Sequence, residues 1–199
     1  MCNALFDKGL AGRTVLDAMM QIPRHAFLES GFHQHAYLDK AFPIAAGQTI
    51  SHPSTVAWQS ELLEVQPGMK VLEIGTGCGY QAAVLCQLGV KLFTIERQKE
   101  LFDFSKSMLK DLGYRAEQKF GDGFKGMPIF APFDRIIVTC GAPYVPKALL
   151  SQLKIGGIMI IPVGEGTQKM VRIVKNSDGT FAQKVLGDAA FVPMLKDRE

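Results

Sequence analysis

The sequence lacks any long hydrophobic run, and its first residues carry no recognisable targeting signal. Nowhere do about 18 uninterrupted apolar residues occur, which excludes an ordinary membrane-spanning helix. Residues 1–12 include Asp7 and contain neither the apolar core of a secretory signal nor the pattern of a transit peptide. We therefore expect a cytoplasmic protein that has no membrane as a partner.

Cysteine is scarce, and neither sign of charge dominates. The four cysteines form no C-x-x-C pair, so reduced thiols are expected rather than a disulfide frame or a zinc site. Against 22 basic residues stand 19 acidic ones, a net charge of +3 that gives no indication of a nucleic-acid partner. The histidines have no matching cluster of cysteines or carboxylates, so no metal is expected. The G-x-S-x-G motif of a serine hydrolase is absent.

What the sequence does contain, from Ser51 onward, is an alternation of short apolar runs with helical stripes, which is typical of βαβ units. Strands are predicted at residues 70–74, 91–95, 115–120, 134–139 and 158–163. Helices are predicted at residues 79–88, 101–112 and 146–153. Residues 170–175 and 181–186 flank an Asn-Ser-Asp-Gly turn, which predicts an antiparallel hairpin at one end of a mostly parallel sheet. Earlier in the chain, a helix is predicted at residues 14–21 and an irregular cap or lid at 30–47.

The most informative segment is the predicted strand that ends in Glu73 and Ile74 and runs into Gly75-Thr76-Gly77-Cys78-Gly79 before a helix. Glycines at such a junction let the chain turn sharply and let a ligand lie against the backbone. In the G-x-G-x-x-G motif of dinucleotide sites the third glycine would stand where this chain has Tyr80, which disfavours NAD. Glu73 would repel a pyrophosphate but could pair with a cationic amino-acid group, and S-adenosylmethionine carries that charge pattern.

Two further carboxylates follow predicted strands. Glu96 ends the next strand, where it can accept hydrogen bonds from both ribose hydroxyls; the alternative is an ordinary solvated glutamate. Asp122, between Gly121 and Gly123, could approach the adenine amino group, and a simple turn is the alternative. Thr139 ends the fourth strand, at the edge where open α/β sheets bind their ligands.

Over nearly its whole length the sequence resembles the protein-L-isoaspartate O-methyltransferases. The most specific matches are Ile22-Pro23-Arg24-His25 and Gln48-Thr49-Ile50-Ser51-His52-Pro53. Other matches are at residues 16–19, 36–39, 73–80, 121–123, 131–139, 152–157, 162–164 and 191–193. Ile22, Cys140 and Gly141 differ from the more usual residues of the family and are expected beside the substrate cleft.

The resemblance implies transfer of a methyl group from S-adenosyl-L-methionine, leaving S-adenosyl-L-homocysteine, to the free α-carboxylate of L-isoaspartyl residues in damaged proteins and peptides. It implies Ser51 as the active-site residue. Substrate contacts are expected from Thr49, Ile50, Ser51, Thr139, Val192 and Pro193. Cofactor contacts are expected from His52, Thr55, Glu73, Gly75, Thr76, Gly77, Gly79, Glu96, Asp122 and Gly123.

Ser51 is expected to orient the substrate rather than attack it. A carboxylate with a pKa of about 4 is already ionised at pH 7, so methyl transfer to it needs positioning and no strong base. From its sequence context alone, Ser51 is an N-cap for the helix that begins at Pro53, and the two roles are compatible. Two other functions stay open: a carboxyl methyltransferase for one dedicated peptide or small molecule, and a binding module without turnover.

The expected fold is therefore a Rossmann-like α/β sandwich of the S-adenosylmethionine-dependent methyltransferase type. We expect one domain over residues 1–199. It would comprise an N-terminal helical and loop cap at 1–50, a cofactor-binding core at 51–165 and antiparallel C-terminal strands at 166–199. A monomer with a shallow groove for varied peptides is expected.

Overall fold

The central feature of the computed structural model, which describes residues 1–199, is a seven-stranded sheet. Its strands are β3 (Lys70–Ile74), β4 (Lys91–Glu96), β5 (Ala116–Phe120), β6 (Phe133–Val138), β7 (Leu153–Val163), β8 (Gln168–Lys175) and β9 (Phe181–Ala189). The order across the sheet is β5-β4-β3-β6-β7-β8-β9. Pairs as far as β7 are parallel, whereas β8 and β9 are antiparallel. The predicted α/β fold, with an antiparallel pair at one end of its sheet, is confirmed.

Helices flank the sheet and form most of the N-terminal cap. They are α1 (Cys2–Asp7), α2 (Arg13–Met20), α3 (Pro53–Leu62), α4 (Tyr80–Gln87), α5 (Lys99–Asp111) and α6 (Lys147–Gln152). The cap also contains 3-10 turns at Arg24–Phe27 and Ser30–His35, and a small antiparallel pair of β1 (Phe42–Pro43) with β2 (Thr49–Ile50). None of these helices is long and apolar enough to span a bilayer.

The differences from the predicted elements lie mainly at irregular pairings. Strand β7 begins at Leu153, five residues before the predicted start, because the ladder with β6 has a bulge: Leu153 pairs with Phe133, and Ile158 pairs with Arg135. Gly156 adopts a positive φ of +75° inside this segment, so the hydrophobic pattern breaks there although the strand continues. Helix α1 and the pair β1–β2 are too short to give a periodic pattern.

The sheet separates two apolar clusters, because successive side chains of a strand point to opposite faces. Val71, Ile137 and Ile160 belong to the cluster that the N-terminal cap covers, which has 31 buried residues. Their neighbours Leu72, Ile136 and Met159 face the other cluster of 15 residues. The unequal sizes show that the cap contributes a large part of the core. Both faces are covered, so the parallel strands are nearly continuously apolar.

The last segment of the chain returns to the centre of the sheet after β9. The N–H of Gly141 donates to the carbonyl of Val192 at 2.8 Å, and the N–H of Met194 donates to the carbonyl of Gly141 at 2.7 Å. These bonds attach the C-terminal segment beside the loop that follows β6. Residues separated by about fifty positions in sequence therefore border the same region.

Candidate active site

A cleft lies at the carboxyl edge of the parallel strands, between the ends of β3, β4 and β6 and beneath the cap. It is the position at which open α/β sheets bind ligands. Eleven of the predicted site residues line it: Thr49, Ile50, Ser51, Gly75, Thr76, Gly77, Glu96, Gly123, Thr139, Val192 and Pro193. Five do not border it: His52, Thr55, Glu73, Gly79 and Asp122. The cofactor contacts expected of those five stay predictions.

The glycine-rich loop between β3 and α4 needs glycine for two different reasons. Gly75 has a φ of +95°, and a Cβ there would lie 2.7 Å from Thr139 Oγ1. Gly77 has a φ of +56°, but only Ile44 Cδ1 at 3.8 Å would contact its Cβ. Gly79 has a φ of +93° and packs against Ser105 of α5, where an added Cβ would lie 3.3 Å from the Ser105 Cβ. The loop therefore presents bare backbone to the cleft at Gly75 and Gly77, and Gly79 serves packing.

Glu96 is the best-organised polar group of the cleft. Its Oε2 accepts the N–H of Gly77 at 2.8 Å, and its Oε1 accepts the N–H groups of Arg97 and Gln98 at 2.8 and 2.9 Å. The residue is 5% exposed. Three backbone donors hold the carboxylate in one orientation at the cleft wall, where it can still accept hydrogen bonds from a vicinal diol.

Glu73 lies beneath the loop and is fully buried. Its Oε2 accepts the hydroxyl of Thr94 at 2.6 Å, and Thr94 Oγ1 lies 2.6 Å from Thr76 Oγ1. Its Oε1 has no hydrogen-bond partner. Burial raises the pKa of this carboxyl to about 8, although the hydrogen bond from Thr94 acts to lower the pKa. The shift favours the neutral carboxyl near pH 7, and the side chain supports the loop from below through the two threonines.

Asp122 and Gly123 follow β5 and shape the wall on that side. Asp122 Oδ1 accepts the N–H of Phe124 at 2.9 Å and so caps a short 3-10 turn. A Cβ at Gly123 would fall 2.4 Å from Ile74 Cγ2, so the close approach of this turn to β3 requires glycine. The simple-turn role that the sequence left open for Asp122 is thus present in the structure.

Ser51 stands between β2 and α3 and is partly exposed to the cleft. Its hydroxyl makes no hydrogen bond within the protein, whereas its carbonyl oxygen accepts Nη2 of Arg24 at 2.7 Å. The alternative that Ser51 is the N-cap of α3 is wrong: His52 occupies the N-cap position, and Asp39 Oδ1 accepts the free N–H of Ser54 at 2.9 Å. Asp39 caps the helix because the N-terminal region at residues 1–50 packs against the start of α3. The Ser51 hydroxyl is therefore left without a hydrogen-bond partner in the protein.

Thr139 closes the opposite side. Its Oγ1 lies 2.6 Å from the carbonyl oxygen of Gly75 and 2.9 Å from that of Ile74, so it ties the end of β6 to the glycine loop. Val192 and Pro193 border the same side through the bonds to Gly141 described above. A buried glutamine fixes this segment, since Gln168 Oε1 accepts the N–H of Phe191 at 2.8 Å.

Several lining residues were not singled out from the sequence. They are Gln48, Val56, Ile74, Cys78, Tyr80, Gln81, Ile95, Arg97, Gln98, Leu101, Gly121, Met194 and Leu195. Most are direct neighbours of predicted residues, and that adjacency is the only signal the sequence holds for them. Of the three positions that differ from the usual residues of the family, Cys140 lines the cleft, whereas Ile22 and Gly141 do not. Burial raises the pKa of Cys78 to about 11 and of Cys140 to about 12, so neither is a thiolate nucleophile. No group of three or more metal-ligating side chains occurs.

The cleft has the donor set and shape that S-adenosylmethionine requires. Bare backbone at Gly75 and Gly77 lines the cleft and lets an extended ligand lie against it. Glu96 provides oriented acceptors for the ribose hydroxyls. Ile95 and Leu101 supply apolar surface beside Glu96. The residues present therefore fit this group.

Comparison with known proteins identifies the family. The family model described as protein-L-isoaspartate(D-aspartate) O-methyltransferase matches residues 1–199. The chain belongs to this family. A protein-L-isoaspartate O-methyltransferase of Flavobacterium psychrophilum is 54% identical over 199 residues, covering 100% of this chain and 93% of the relative. One from Christiangramia forsetii is 57% identical over 192 residues, covering 96% of this chain and 90% of the relative.

Solved structures of the family have the same fold. A protein-L-isoaspartate O-methyltransferase structure superposes with a TM-score of 0.88 at 29% identity, covering 97% of this chain and 65% of that longer one. A second, described as a β-aspartate methyltransferase from Plasmodium falciparum in complex with S-adenosyl-L-homocysteine, has a TM-score of 0.87 at 24% identity and covers 98% of this chain and 97% of that one. The family uses S-adenosylmethionine, so membership makes this chain a methyltransferase that depends on that cofactor.

Proposed function

We propose that this chain transfers the methyl group of S-adenosyl-L-methionine to the α-carboxylate of L-isoaspartyl residues in damaged proteins and peptides. The observation that carries the proposal is the hydroxyl of Ser51, which has no partner in the protein and lines the same cleft as Glu96 and the glycine loop. An uncommitted hydroxyl opposite a cofactor cradle suits an acceptor carboxylate. Membership of the family, whose name states this reaction, supports the same substrate.

The cofactor would be held along the glycine loop, with Gly75, Thr76 and Gly77 at its amino-acid portion and Glu96 accepting the ribose hydroxyls. Gly123 would border the adenine, and Asp122, which does not line the cleft, would act there through the turn that it caps. For His52 and Thr55, at the start of α3, a cofactor contact is proposed from the family resemblance alone, since neither lines the cleft. When bound, the cofactor supplies an electrophilic methyl group on a sulfonium. Everything else that the reaction needs is orientation and exclusion of water, which the chain's own residues provide.

Glu73 pairs with the ammonium group of the cofactor only as a carboxylate. Because burial raises its pKa to about 8, that pairing requires release of a proton near pH 7. Calorimetric titration of S-adenosyl-L-homocysteine in two buffers of different ionisation enthalpy measures this proton. Its release by the wild type and its absence in Glu73→Gln support the pairing. If neither the wild type nor Glu73→Gln releases a proton on binding, the pairing is contradicted. Glu73 then acts only by supporting the loop through Thr94 and Thr76.

Ser51 donates its hydroxyl hydrogen to the substrate carboxylate and so aligns one oxygen with the methyl group. No histidine contacts the Ser51 hydroxyl, which therefore has no base to make it a nucleophile. The substrate carboxylate is already ionised at neutral pH. Thr49 and Ile50 on β2, Thr139 on β6, and Val192 and Pro193 of the returning segment form the walls of the peptide groove.

The product explains how methylation starts repair. The ester carbonyl carbon has a methoxy group that can leave, which a carboxylate lacks. The neighbouring backbone amide nitrogen therefore attacks that carbon without the enzyme, loses its proton and expels methanol. The resulting succinimide reopens with water to aspartate or isoaspartate. Each cycle returns part of the damaged residue to normal aspartate.

The direct test is methyl transfer from labelled S-adenosylmethionine to two peptides that differ only in L-isoaspartate or L-aspartate at one position. Transfer confined to the isoaspartyl peptide is the expected result. Equal transfer to both peptides contradicts the proposed specificity. Tight cofactor binding without transfer to either peptide contradicts the substrate and points to a dedicated acceptor or to a binding module.

We also propose that residues 1–199 fold as one domain, with the cap at 1–50, the cofactor core at 51–165 and the C-terminal strands at 166–199. We further propose that the protein is a cytoplasmic monomer without a nucleic-acid or membrane partner. Support comes from one apolar cluster that extends from Cys2 to Met170, and from four unpaired cysteines that suit a reducing compartment. A single cooperative unfolding transition and a monomer mass by sedimentation are expected. Two transitions or a stable dimer would contradict these points.

A further inference from the structure

Arg24 is a fully buried arginine in the N-terminal cap, at the start of the 3-10 turn Arg24–Phe27. Its guanidinium bonds only to backbone carbonyls. Nε donates to Ala36 at 2.9 Å, and Nη2 donates to Ser51 at 2.7 Å with a longer contact of 3.5 Å to Lys40. One side chain therefore joins the cap segment of Ala36 and Lys40 to the residue that carries the candidate catalytic hydroxyl.

The guanidinium has no ion-pair partner, and only the more distant Asp39 carboxylate acts on its charge. No carboxylate lies within ion-pairing distance of Arg24, while seven other pairs of the chain do form ion pairs. Its Nη1 has no hydrogen-bond partner and no contact with solvent. Burial lowers the pKa of Arg24, but an arginine stays protonated in a protein at neutral pH.

The guanidinium does not line the cleft itself, but it packs on the ring of a residue that does. Its Cζ lies 4.6 Å from the centroid of the Tyr80 ring, and Tyr80 is the first residue of α4 and lines the cleft. A cation over an aromatic face is stabilised by the ring quadrupole, which offsets part of its desolvation. The positive charge therefore lies between the acceptor segment at Ser51 and the cofactor loop.

A buried cation without a counter-ion is unfavourable for folding, and an apolar side chain of similar size would be a more stable occupant. The reaction proposed above brings an anion to Ser51 and turns it into a neutral ester. In a region of low dielectric constant an unpaired positive charge attracts the substrate carboxylate strongly. The ester product carries no net charge, so this attraction is lost after methyl transfer. The site thus gains a means to bind the substrate and release the product.

We propose that Arg24 is a positioning residue that fixes the backbone of Ser51 and supplies the buried, unpaired positive charge by which the cleft selects the isoaspartyl carboxylate over its neutral product. The inference rests on the proposed function. It assigns a role to an arginine that the predicted site did not include.

The test uses binding rather than turnover, with the enzyme saturated with S-adenosyl-L-homocysteine. Two peptides are titrated by calorimetry: one with an L-isoaspartyl α-carboxylate, and one with the corresponding α-carboxamide as a stable neutral mimic of the ester. The proteins are the wild type, Arg24→Lys, which keeps the charge, and Arg24→Gln, which keeps amide donors but no charge. Arg13→Gln makes the same charge change at an exposed site and is the matched control.

In the wild type the carboxylate peptide binds more tightly than the carboxamide. Arg24→Gln is expected to reduce that preference by about tenfold or more, equivalent to about 1.4 kcal/mol. Arg24→Lys is expected to retain most of the preference, and Arg13→Gln all of it. A merely structural role for Arg24 would weaken the binding of both peptides by the same factor.

Three outcomes overturn the proposal. In the first, the wild type and Arg24→Gln show the same preference for the carboxylate peptide. In the second, Arg24→Lys loses as much of this preference as Arg24→Gln does. In the third, Arg24→Gln no longer binds S-adenosyl-L-homocysteine, which would show that Arg24 serves the fold alone. Failure of the wild type to bind the isoaspartyl peptide is a different result, because it removes the proposed function itself.

Discussion

Glu96 accepts the backbone N–H of Gly77 at 2.8 Å, which bonds the carboxylate at the end of β4 directly to the glycine-rich loop after β3. The same carboxylate accepts two more backbone N–H groups from Arg97 and Gln98. The carboxylate proposed to accept the ribose hydroxyls and the loop proposed to hold the amino-acid portion are therefore one bonded unit. A change at Glu96 disturbs both.

Glu96→Gln is expected to weaken the binding of S-adenosyl-L-homocysteine by about 10- to 100-fold, because a hydrogen bond to a charged group contributes about 1.5–3 kcal/mol. Both oxygens of the carboxylate accept backbone N–H groups, so the amide of glutamine would place its NH₂ group against one of these donors. Calorimetric titration measures the dissociation constant. The control is Glu100→Gln, which makes the same change on an exposed residue of α5 and should bind as the wild type does. Equal affinity of Glu96→Gln and the wild type would remove Glu96 from the cofactor site.

Gly75→Ala tests whether the loop needs bare backbone or only a positive φ. Gly113 offers the matched comparison: its φ is +79° and a Cβ there meets nothing within 4 Å, whereas a Cβ at Gly75 lies 2.7 Å from Thr139 Oγ1. Both alanines lose about 1 kcal/mol of unfolding free energy from the left-handed backbone. In urea denaturation, only Gly75→Ala should lose more unfolding free energy than this. The same variant should also bind S-adenosyl-L-homocysteine more weakly than the wild type does. Identical behaviour of the two variants would show that the space at Gly75 is unimportant.

Glu73 gives the stability of the protein a pH dependence of definite sign. Its pKa is raised from an ordinary 4.5 to about 8 by burial, so between these values the folded state holds a proton that the unfolded state has lost. The free energy of unfolding therefore falls as pH rises across this window. The limiting slope for one proton is about 1.4 kcal/mol per pH unit.

Glu73→Gln removes this proton and should become more stable relative to the wild type as pH rises from 5 to 8. Urea denaturation of both proteins without cofactor at several pH values gives the difference, in which other titrating groups cancel. A difference that stays constant between pH 5 and pH 8 would show that the Glu73 carboxyl does not hold a proton in the folded state.

Gln168→Leu tests the wall formed by the returning C-terminal segment. The substitution leaves the part-buried N–H of Phe191 without its acceptor, and the loss of one such hydrogen bond reduces the unfolding free energy by about 1 kcal/mol. Because Val192 and Pro193 follow directly, we expect a higher KM for the isoaspartyl peptide with an unchanged dissociation constant for S-adenosyl-L-homocysteine. Gln183→Leu, at an exposed position of β9, should change neither. An unchanged peptide KM in Gln168→Leu would take this segment out of the substrate site.

Local patterns were sufficient for the regular part of the fold. Strand β3 matches the predicted residues 70–74, and the Asn-Ser-Asp-Gly turn joins β8 to β9 as expected. Branched apolar runs between turn residues carry that information within a few positions. The bulge that extends β7 to Leu153 depends on pairing with β6, which no local pattern contains.

The site was predictable where its residues adjoin strand ends, as at Gly75, Glu96 and Thr139. Contacts between distant segments were not. The bond between Gly141 and Val192, and that between Arg24 and Ser51, join residues far apart in sequence that only the folded chain brings together. The resemblance to a known family supplied Ser51 and Val192, whereas periodicity and spacing alone favoured an N-cap for the former and nothing for the latter.

The central claim is that the free hydroxyl of Ser51 orients the isoaspartyl carboxylate for methyl transfer, and the kcat/KM of Ser51→Ala on an isoaspartyl peptide tests it most directly. Loss of one hydrogen bond to a charged group predicts a fall of about 10- to 100-fold. Because the hydroxyl has no partner in the protein, the unfolding free energy and the dissociation constant of S-adenosyl-L-homocysteine should stay as in the wild type. A Ser51→Ala enzyme that methylates the peptide at the full rate would contradict the account.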